Sequence, residues 1–343
     1  MKKIQTLSHP KYFWNSLFKA DKYLKYIPST QYKTTMNKEI RKRIDEKWSE
    51  HASTIGDSEL KTRWWQSPFI IQQINKIVNG KEVDGRSQGL IELTKDKFEK
   101  LLPFKKGISV GCGTGKKEMN LILQNVVESF DLYELSEGMI EKGKELAKEL
   151  GVLDRVNFVQ QDVFEVVMKK GQYDFVHWGD SLHHMLDVDE AVKWSKKVLK
   201  KGGLFFMDDF VGAARFQWSD KSLEIGSKVR EVFQDTKYLV NPYSRDTLLP
   251  TKLHRPDIHK MIQSDPSEAV DSNNIIKAIN KYFPNAEIKC TGGLIYHLVL
   301  SDMLNNIDEG KTEDQILIKL LMVIDELTAE IGETQYAVAL AIK

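Results

Sequence analysis

The chain has 343 residues, 41% of them hydrophobic, with 50 Lys and Arg against 49 Asp and Glu. That length holds one large or two modest domains with a substantial core, and the near-neutral balance excludes a global charge that would favour nucleic acid. Two cysteines, Cys112 and Cys290, exclude a disulfide framework; no apolar run approaches the ~18 residues of a membrane span and no export signal follows Met1, so a cytoplasmic protein is expected.

Residues 1–62 read as a basic and aromatic extension. Over residues 1–47 twelve Lys or Arg face four Asp or Glu, an excess of eight, interleaved with Tyr12, Phe13, Trp14, Phe18, Tyr23 and Tyr26. Such a mixture suits either an arm packed on its own protein or one docking on an anionic partner. Asn37 to Glu50 has helical composition, with Arg41, Arg43 and Lys47 expected to face water. Residues 63–105 follow as a helical lid region. Its Trp64-Trp65 pair is expected either in the core or as a cover over a ligand, and Phe69 to Val78 is an apolar-periodic helix stopped by Asn79-Gly80. Lys81 to Gly89 reads as a surface loop, and Thr94 to Leu102 as a helix.

From residue 106 to 210 strand and helix patterns alternate, which implies a parallel sheet with ligands at the carboxyl ends of its strands. The first strand ends in Val110-Gly-Cys-Gly-Thr-Gly115. Glycine there permits positive φ and close approach of a ligand to the backbone, and the helix start beyond it presents free amides. The second strand ends in Glu134, at a distance where an acidic side chain commonly meets ribose hydroxyls. The third glycine falls one place early for a dinucleotide fingerprint, and Lys117 stands where a phosphate-gripping P-loop needs Ser or Thr after its lysine.

The loop resembles the first motif of the class I S-adenosylmethionine-dependent methyltransferases. Leu135-Ser-Glu-Gly-Met139, Gln161-Asp-Val163, Tyr173-Asp-Phe-Val-His-Trp178, Gly179-Asp-Ser-Leu-His-His184 and Leu199-Lys-Lys-Gly-Gly203 follow in that family's order. The resemblance implies a Rossmann-like α/β fold. Its seven-stranded, mostly parallel sheet carries helices on both faces, here with an N-terminal helical extension and helical cap insertions. It implies S-adenosylmethionine as cofactor and S-adenosylhomocysteine as product. The cofactor would be held by Gly111, Cys112, Gly113, Thr114, Gly115, Glu134, Leu135, Met139, Asp162, Val163 and Gly179, with Trp65 as a lid residue. Cys112 is read as a small side chain packed under the cofactor rather than as a nucleophile.

Residues 211–285 read as a helical substrate cap with helices at Ser219 to Phe233 and Ser272 to Tyr282. Residues 286–343 supply the last two strands, Ala286 to Cys290 and Tyr336 to Ile342. Between them lies a helix at Glu313 to Ile331 whose stripe of Ile316, Leu317, Leu320, Leu321, Ile324 and Leu327 belongs to the core or to a subunit interface, leaving room for a homo-oligomer.

Methyl transfer needs the acceptor aligned with the donor, and a general base where the acceptor is a hydroxyl. Candidate bases are Asp209 at the end of the fifth strand, His184 after the fourth, and His297 past the sixth. His183, Phe210, Arg215 and Trp218 are candidate acceptor contacts. No metal site is assigned, because His183 and His184 are adjacent and not four apart as on a helical metal-binding face. Asp208-Asp-Phe-Val-Gly212, Arg215-Phe-Gln-Trp218 and Asp265-Pro-Ser-Glu-Ala-Val270 resemble more loosely bacterial methyltransferases of natural-product or surface-glycan pathways. The expected activity is methylation of a small-molecule or sugar-containing acceptor. The alternatives are a protein or RNA methyltransferase docking through the basic arm, and a non-catalytic scaffold that binds S-adenosylmethionine.

Overall fold

The structure, a computed structural model, describes residues 37–54 and 60–343. The aromatic residues of the basic arm, Tyr12 to Tyr26, lie outside the described residues.

Among the described residues three α-helices precede the sheet: α1 (Lys38–Thr54), α2 (Pro68–Asn79) and α3 (Gln88–Phe98). The alternating region then runs β1 (Phe104–Val110), α4 (Lys116–Leu123), β2 (Val127–Glu134), α5 (Glu137–Glu149), β3 (Val156–Gln160), β4 (Tyr173–Gly179), α6 (Val188–Val198) and β5 (Leu199–Phe210). The remainder comprises α7 (Asp220–Glu231), α8 (Ile258–Ser264), α9 (Ile275–Tyr282), β6 (Glu287–Gly292), α10 (Thr312–Glu330) and β7 (Tyr336–Ile342). The seven strands form one sheet in the order β3-β2-β1-β4-β5-β7-β6. Only β7 runs antiparallel, against β5 and β6. This is the expected Rossmann-like sheet, and the order reverses between β1 and β4, where a crevice opens at the strand ends.

Period-two alternation supplies both faces of the sheet. Phe205 and Met207 enter the core under α6 and α9. Leu204 and Phe206 enter the opposite core, with Val78 of α2, Leu90 of α3 and Met119 of α4. A third core joins Trp64, Ile70, Phe210, Phe233, Leu294, Tyr296, Ile318 and Tyr336. The N-terminal helices, the cap and the C-terminal insertion therefore pack together over the ends of β5 and β7. No helix among the described residues is long and apolar enough to cross a membrane.

Local signals set most boundaries. Ser67 caps α2 through the Ile70 amide, and Gly80 ends it in the left-handed region. Ser136 caps α5 through the Met139 amide. Departures from expectation have long-range causes. The helix expected from Thr94 begins at Gln88, because the Asn75 side chain accepts from the Gly89 amide at 2.8 Å and donates to the Val83 and Gly85 carbonyls. The expected stripe on α10 divides, with Leu317, Leu321 and Ile324 on the core. Ile318, Leu321 and Met322 are buried, whereas Ile316, Leu320 and Leu327 are exposed. The helix is apolar on more than one side, so period alone does not choose the inner face.

Helix α10 buries Asp314, Asp325 and Thr328, and Asp325 reaches the neighbouring turn. The Asp325 carboxylate accepts from the Gly293 amide at 2.9 Å and the Ile295 amide at 2.6 Å, capping a short π-helix, Leu294–Val299. Burial pushes this carboxyl up to about 7 against the pull of those amides.

Candidate active site

Glu134 ends β2 beside the glycine loop. One oxygen accepts from the Gly113 amide at 2.8 Å, the other from Leu135 and Ser136 at 2.7 and 3.0 Å. Burial raises its pKa, opposed by the same three amides. A carboxylate has about four acceptor sites, so capacity remains for a hydroxyl. Gly113 has φ +57, and a Cβ there would meet nothing within 4 Å. The loop thus bounds open space. Cys112 is half-buried, and desolvation together with the Glu118 and Glu134 carboxylates pushes its thiol pKa well up, which disfavours a nucleophilic thiolate.

The other expected cofactor residues fall around this loop with differing engagements. Asp162 accepts from the Phe164 amide and from Arg41 of α1, both at 3.0 Å. Val163 and Met139 are buried. The Gly179 carbonyl accepts from the Lys117 ammonium at 2.6 Å. Next to it Asp180 pairs with both Lys117 and Arg86. Burial opposes ionisation of Asp180, but the two cations override it and hold its carboxyl well below the usual range. Neighbouring Asp208 accepts from the Ser87 hydroxyl at 2.6 Å, and burial together with Asp180 raises its pKa.

Trp64 is buried against Tyr296 and Tyr336, so it belongs to the core. Trp65 is 39% exposed and faces the Arg86 guanidinium at 4.7 Å. Another element, α1, reaches over the strand ends. Its Ser49 hydroxyl lies 2.9 Å from that of Ser136 and accepts from the Gly138 amide. Its Trp48 ring meets His184 edge-on at 5.4 Å. Arg41 and Arg43, expected to face water, are both engaged: Arg41 with Asp162 and Glu165, and Arg43 with the carbonyls of Ile262 and Gln263.

The histidine pair sits in a helical turn after β4, rings 4.2 Å apart. Asp209 is fully buried. One of its oxygens accepts from the Ser181 and Leu182 amides at 2.9 and 2.7 Å, the other meets His183 Nδ1 at 2.5 Å. It is therefore spent on positioning His183 and is not an open base. Burial works against charge on His183, but Asp209, Glu268 and Asp180 raise its pKa to about 9. His184 Nδ1 lies 3.0 Å from the Ser267 hydroxyl, whose own proton goes to Asp265 at 2.6 Å. Ser267 must then accept from His184 Nδ1–H, which leaves a lone pair on Nε2. Burial and the neighbouring His183 lower the pKa of His184.

Arg215, expected to meet substrate, is buried and donates to the carbonyls of Pro266 and Glu268 at 2.7 and 2.8 Å. It holds the loop that delivers Ser267 and Glu268 to the histidines. Glu268 Oε1 stands 3.6 Å from His183 Nε2. Beyond the pair Phe210 touches the rings of His183, His297, Phe216 and Tyr336, and Trp218 stacks on Phe216 at 5.6 Å. His297 meets the Tyr336 hydroxyl at 3.2 Å inside this aromatic wall. Burial, with Arg63 and His183 adding to it, pushes its pKa down to about 4.

Sequence reading missed Arg86, Lys117, Ser267, Glu268 and Trp48. Asp265-Pro-Ser-Glu was singled out, but only for its likeness to other chains. Four of the five lie in no periodic or glycine signal that marks a site, and Lys117, just past the glycine loop, was weighed only as a departure from a P-loop.

Residues 108–207 match a family described as a methyltransferase domain. The chain is 30% identical over 134 residues to the 27-O-demethylrifamycin SV methyltransferase of Amycolatopsis mediterranei, covering 37% of this chain and 49% of that one. It is 30% identical over 108 residues to a demethylmenaquinone methyltransferase of Leptospira interrogans, covering 31% and 43%. The chain thus spans about half or less of the curated relatives it matches. Geranyl diphosphate C-methyltransferase from Streptomyces coelicolor overlays 90% of this chain and 99% of its own, at 12% identity and a TM-score of 0.49.

Proposed function

We propose that this chain, which carries a class I S-adenosylmethionine-dependent methyltransferase domain over residues 108–207, methylates a hydroxyl on a small-molecule or sugar-containing acceptor. The observation that carries the reading is the open space at Gly113 beside the buried Glu134 carboxylate. A loop with no Cβ in the way and a carboxylate with unused acceptor capacity fit a ribose. Lys117 and Asp180, of opposite charge beside the loop, suit the carboxylate and ammonium of the donor's amino-acid end. When bound, S-adenosylmethionine supplies a strongly electrophilic methyl group.

The remaining work falls to this chain's residues. The aromatic wall of Phe210, Phe216, Trp218 and Tyr336 orients the acceptor. Trp48 of α1 limits water at the histidines. His184, neutral and with its Nε2 lone pair free, draws the proton from the acceptor hydroxyl. Asp209 acts on His183 as a positioning residue, and Arg215 does the same for the loop bearing Ser267 and Glu268. His297 belongs to the acceptor wall.

Calorimetry tests the reading. S-adenosylmethionine should bind with micromolar affinity, about −8 kcal/mol, and Glu134→Ala should weaken it by about 1–3 kcal/mol. Binding of NADH with none of S-adenosylmethionine would sink the assignment.

A further inference from the structure

We infer that His183, His184 and Glu268 form a binding site for one divalent first-row transition-metal ion. Each offers a ligand atom, and these atoms lie within 4.8 Å of one another. His183 Nε2 and Glu268 Oε1 are 3.6 Å apart, too far for a hydrogen bond. Two ligand atoms bound at ~2.0–2.2 Å and a tetrahedral angle stand about 3.4 Å apart. The observed gap is therefore close to the edge of a coordination tetrahedron.

The surroundings prepare the donors. A metal-binding imidazole typically gives its other N–H to a carboxylate, carbonyl or hydroxyl, which fixes the ring and its tautomer. Both histidines have such a partner on Nδ1: Asp209 for His183 and Ser267, backed by Asp265, for His184. His184 Nε2 is left to meet a cation; His183 Nε2 faces the Glu268 carboxylate at 3.6 Å and gives up its proton when an ion binds, and among the described residues no hydrogen bond closes on either. Arg215 holds the Glu268 loop by its carbonyls, so the third ligand comes from a braced segment. Adjacency in sequence does not prevent the pair from serving one ion, because the helical turn brings their rings face to face at a 38° tilt.

Two imidazoles and one carboxylate suit Zn²⁺, Co²⁺, Fe²⁺ or Mn²⁺ better than Mg²⁺ or Ca²⁺, which prefer oxygen alone. Three protein ligands leave at least one open position. With an ion bound, His184 is a ligand and not a base, and a hydroxyl in the open position loses its proton more readily. Only that consequence rests on the methyl-transfer reading.

The test uses the full chain without a polyhistidine tag, stripped by chelator and titrated with Co²⁺ alone. Visible absorption and calorimetry should report one equivalent bound, with the stronger bands of a four- or five-coordinate site. Glu268→Gln and Asp209→Asn should each weaken binding by about 10–100-fold, and His184→Ala should abolish it. His259→Ala, an exposed histidine on α8, should bind as wild type does. Circular dichroism verifies that each variant is folded. Absence of a stoichiometric site in the wild-type chain, or equal binding by folded Glu268→Gln and His184→Ala, overturns the inference. Turnover is never read, so a failed methyl-transfer assay leaves the answer intact.

Discussion

The two halves of the cleft are built by different means. At the ends of β1 and β2 the site is backbone: Glu134 meets amides of Gly113, Leu135 and Ser136, partners 21, 1 and 2 residues away. At the ends of β4 and β5 it is side chains gathered from afar. His184 meets Ser267 83 residues on, and Arg43 of α1 reaches Ile262 across 219. A pocket of amides needs only the right turn in the right place. A pocket of imidazoles, carboxylates and rings depends on every loop that delivers them, so its geometry is coupled to folding.

The largest expected effect breaks the second half. Asp209→Ala leaves His183 and two buried amides without their acceptor. It should cost about 3–5 kcal/mol of folding stability, as loss of one partner of a buried pair does, read as a drop in the urea midpoint. A loss under about 1 kcal/mol would mean that this half is no more coupled to the fold than the glycine loop.

The next effect belongs to the first half. Gly113→Val adds atoms to open space, at a strain of about 1–2 kcal/mol from its positive φ. The protein should stay folded while affinity for S-adenosylmethionine falls roughly 100-fold, about 2.7 kcal/mol. An unchanged dissociation constant by calorimetry would show that the space over Gly113 is not where the ligand lies.

A smaller effect sharpens the comparison through pH. His297 is half-buried among Phe210, Phe216, Trp218 and Tyr336, and its pKa lies near 4, against an ordinary 6.5. The unfolded chain therefore gains a proton first as pH falls. This stability is complete above about pH 6.5 and is lost as pH falls towards 4. Between about pH 7 and 5 the loss should be about 2 kcal/mol, and His297→Phe should remove it. Equal pH slopes for variant and wild type in urea unfolding would contradict the burial of a neutral ring.

What could be read in the sequence divides along the same line. The Val110–Gly115 loop, the acid at Glu134, the Ser136 cap and the β7 segment are signals carried by a few neighbouring residues, and the observed elements follow them closely. Arg41 and Arg43 looked solvated because helix composition does not say which face meets another element. Arg215 looked like a substrate contact because an arginine near a strand end is read by its charge. The carbonyls of Pro266 and Glu268 that occupy it lie some 50 residues away. Asp209 looked like a base until the amides of Ser181 and Leu182 accounted for one of its oxygens and His183 for the other.

By itself the sequence determined the alternating α/β core, the strand that ends in the glycine loop, and the acidic residue that serves it. Those depend on backbone conformation and short-range periodicity, which neighbouring residues dictate. Only the tertiary structure decided that α1 covers the histidines, which side of α10 turns inward, and that Glu268 completes a cluster with His183 and His184. Each is a meeting of side chains distant along the chain. Such meetings are selected by packing of the whole against the entropy of the open chain, which no local pattern encodes.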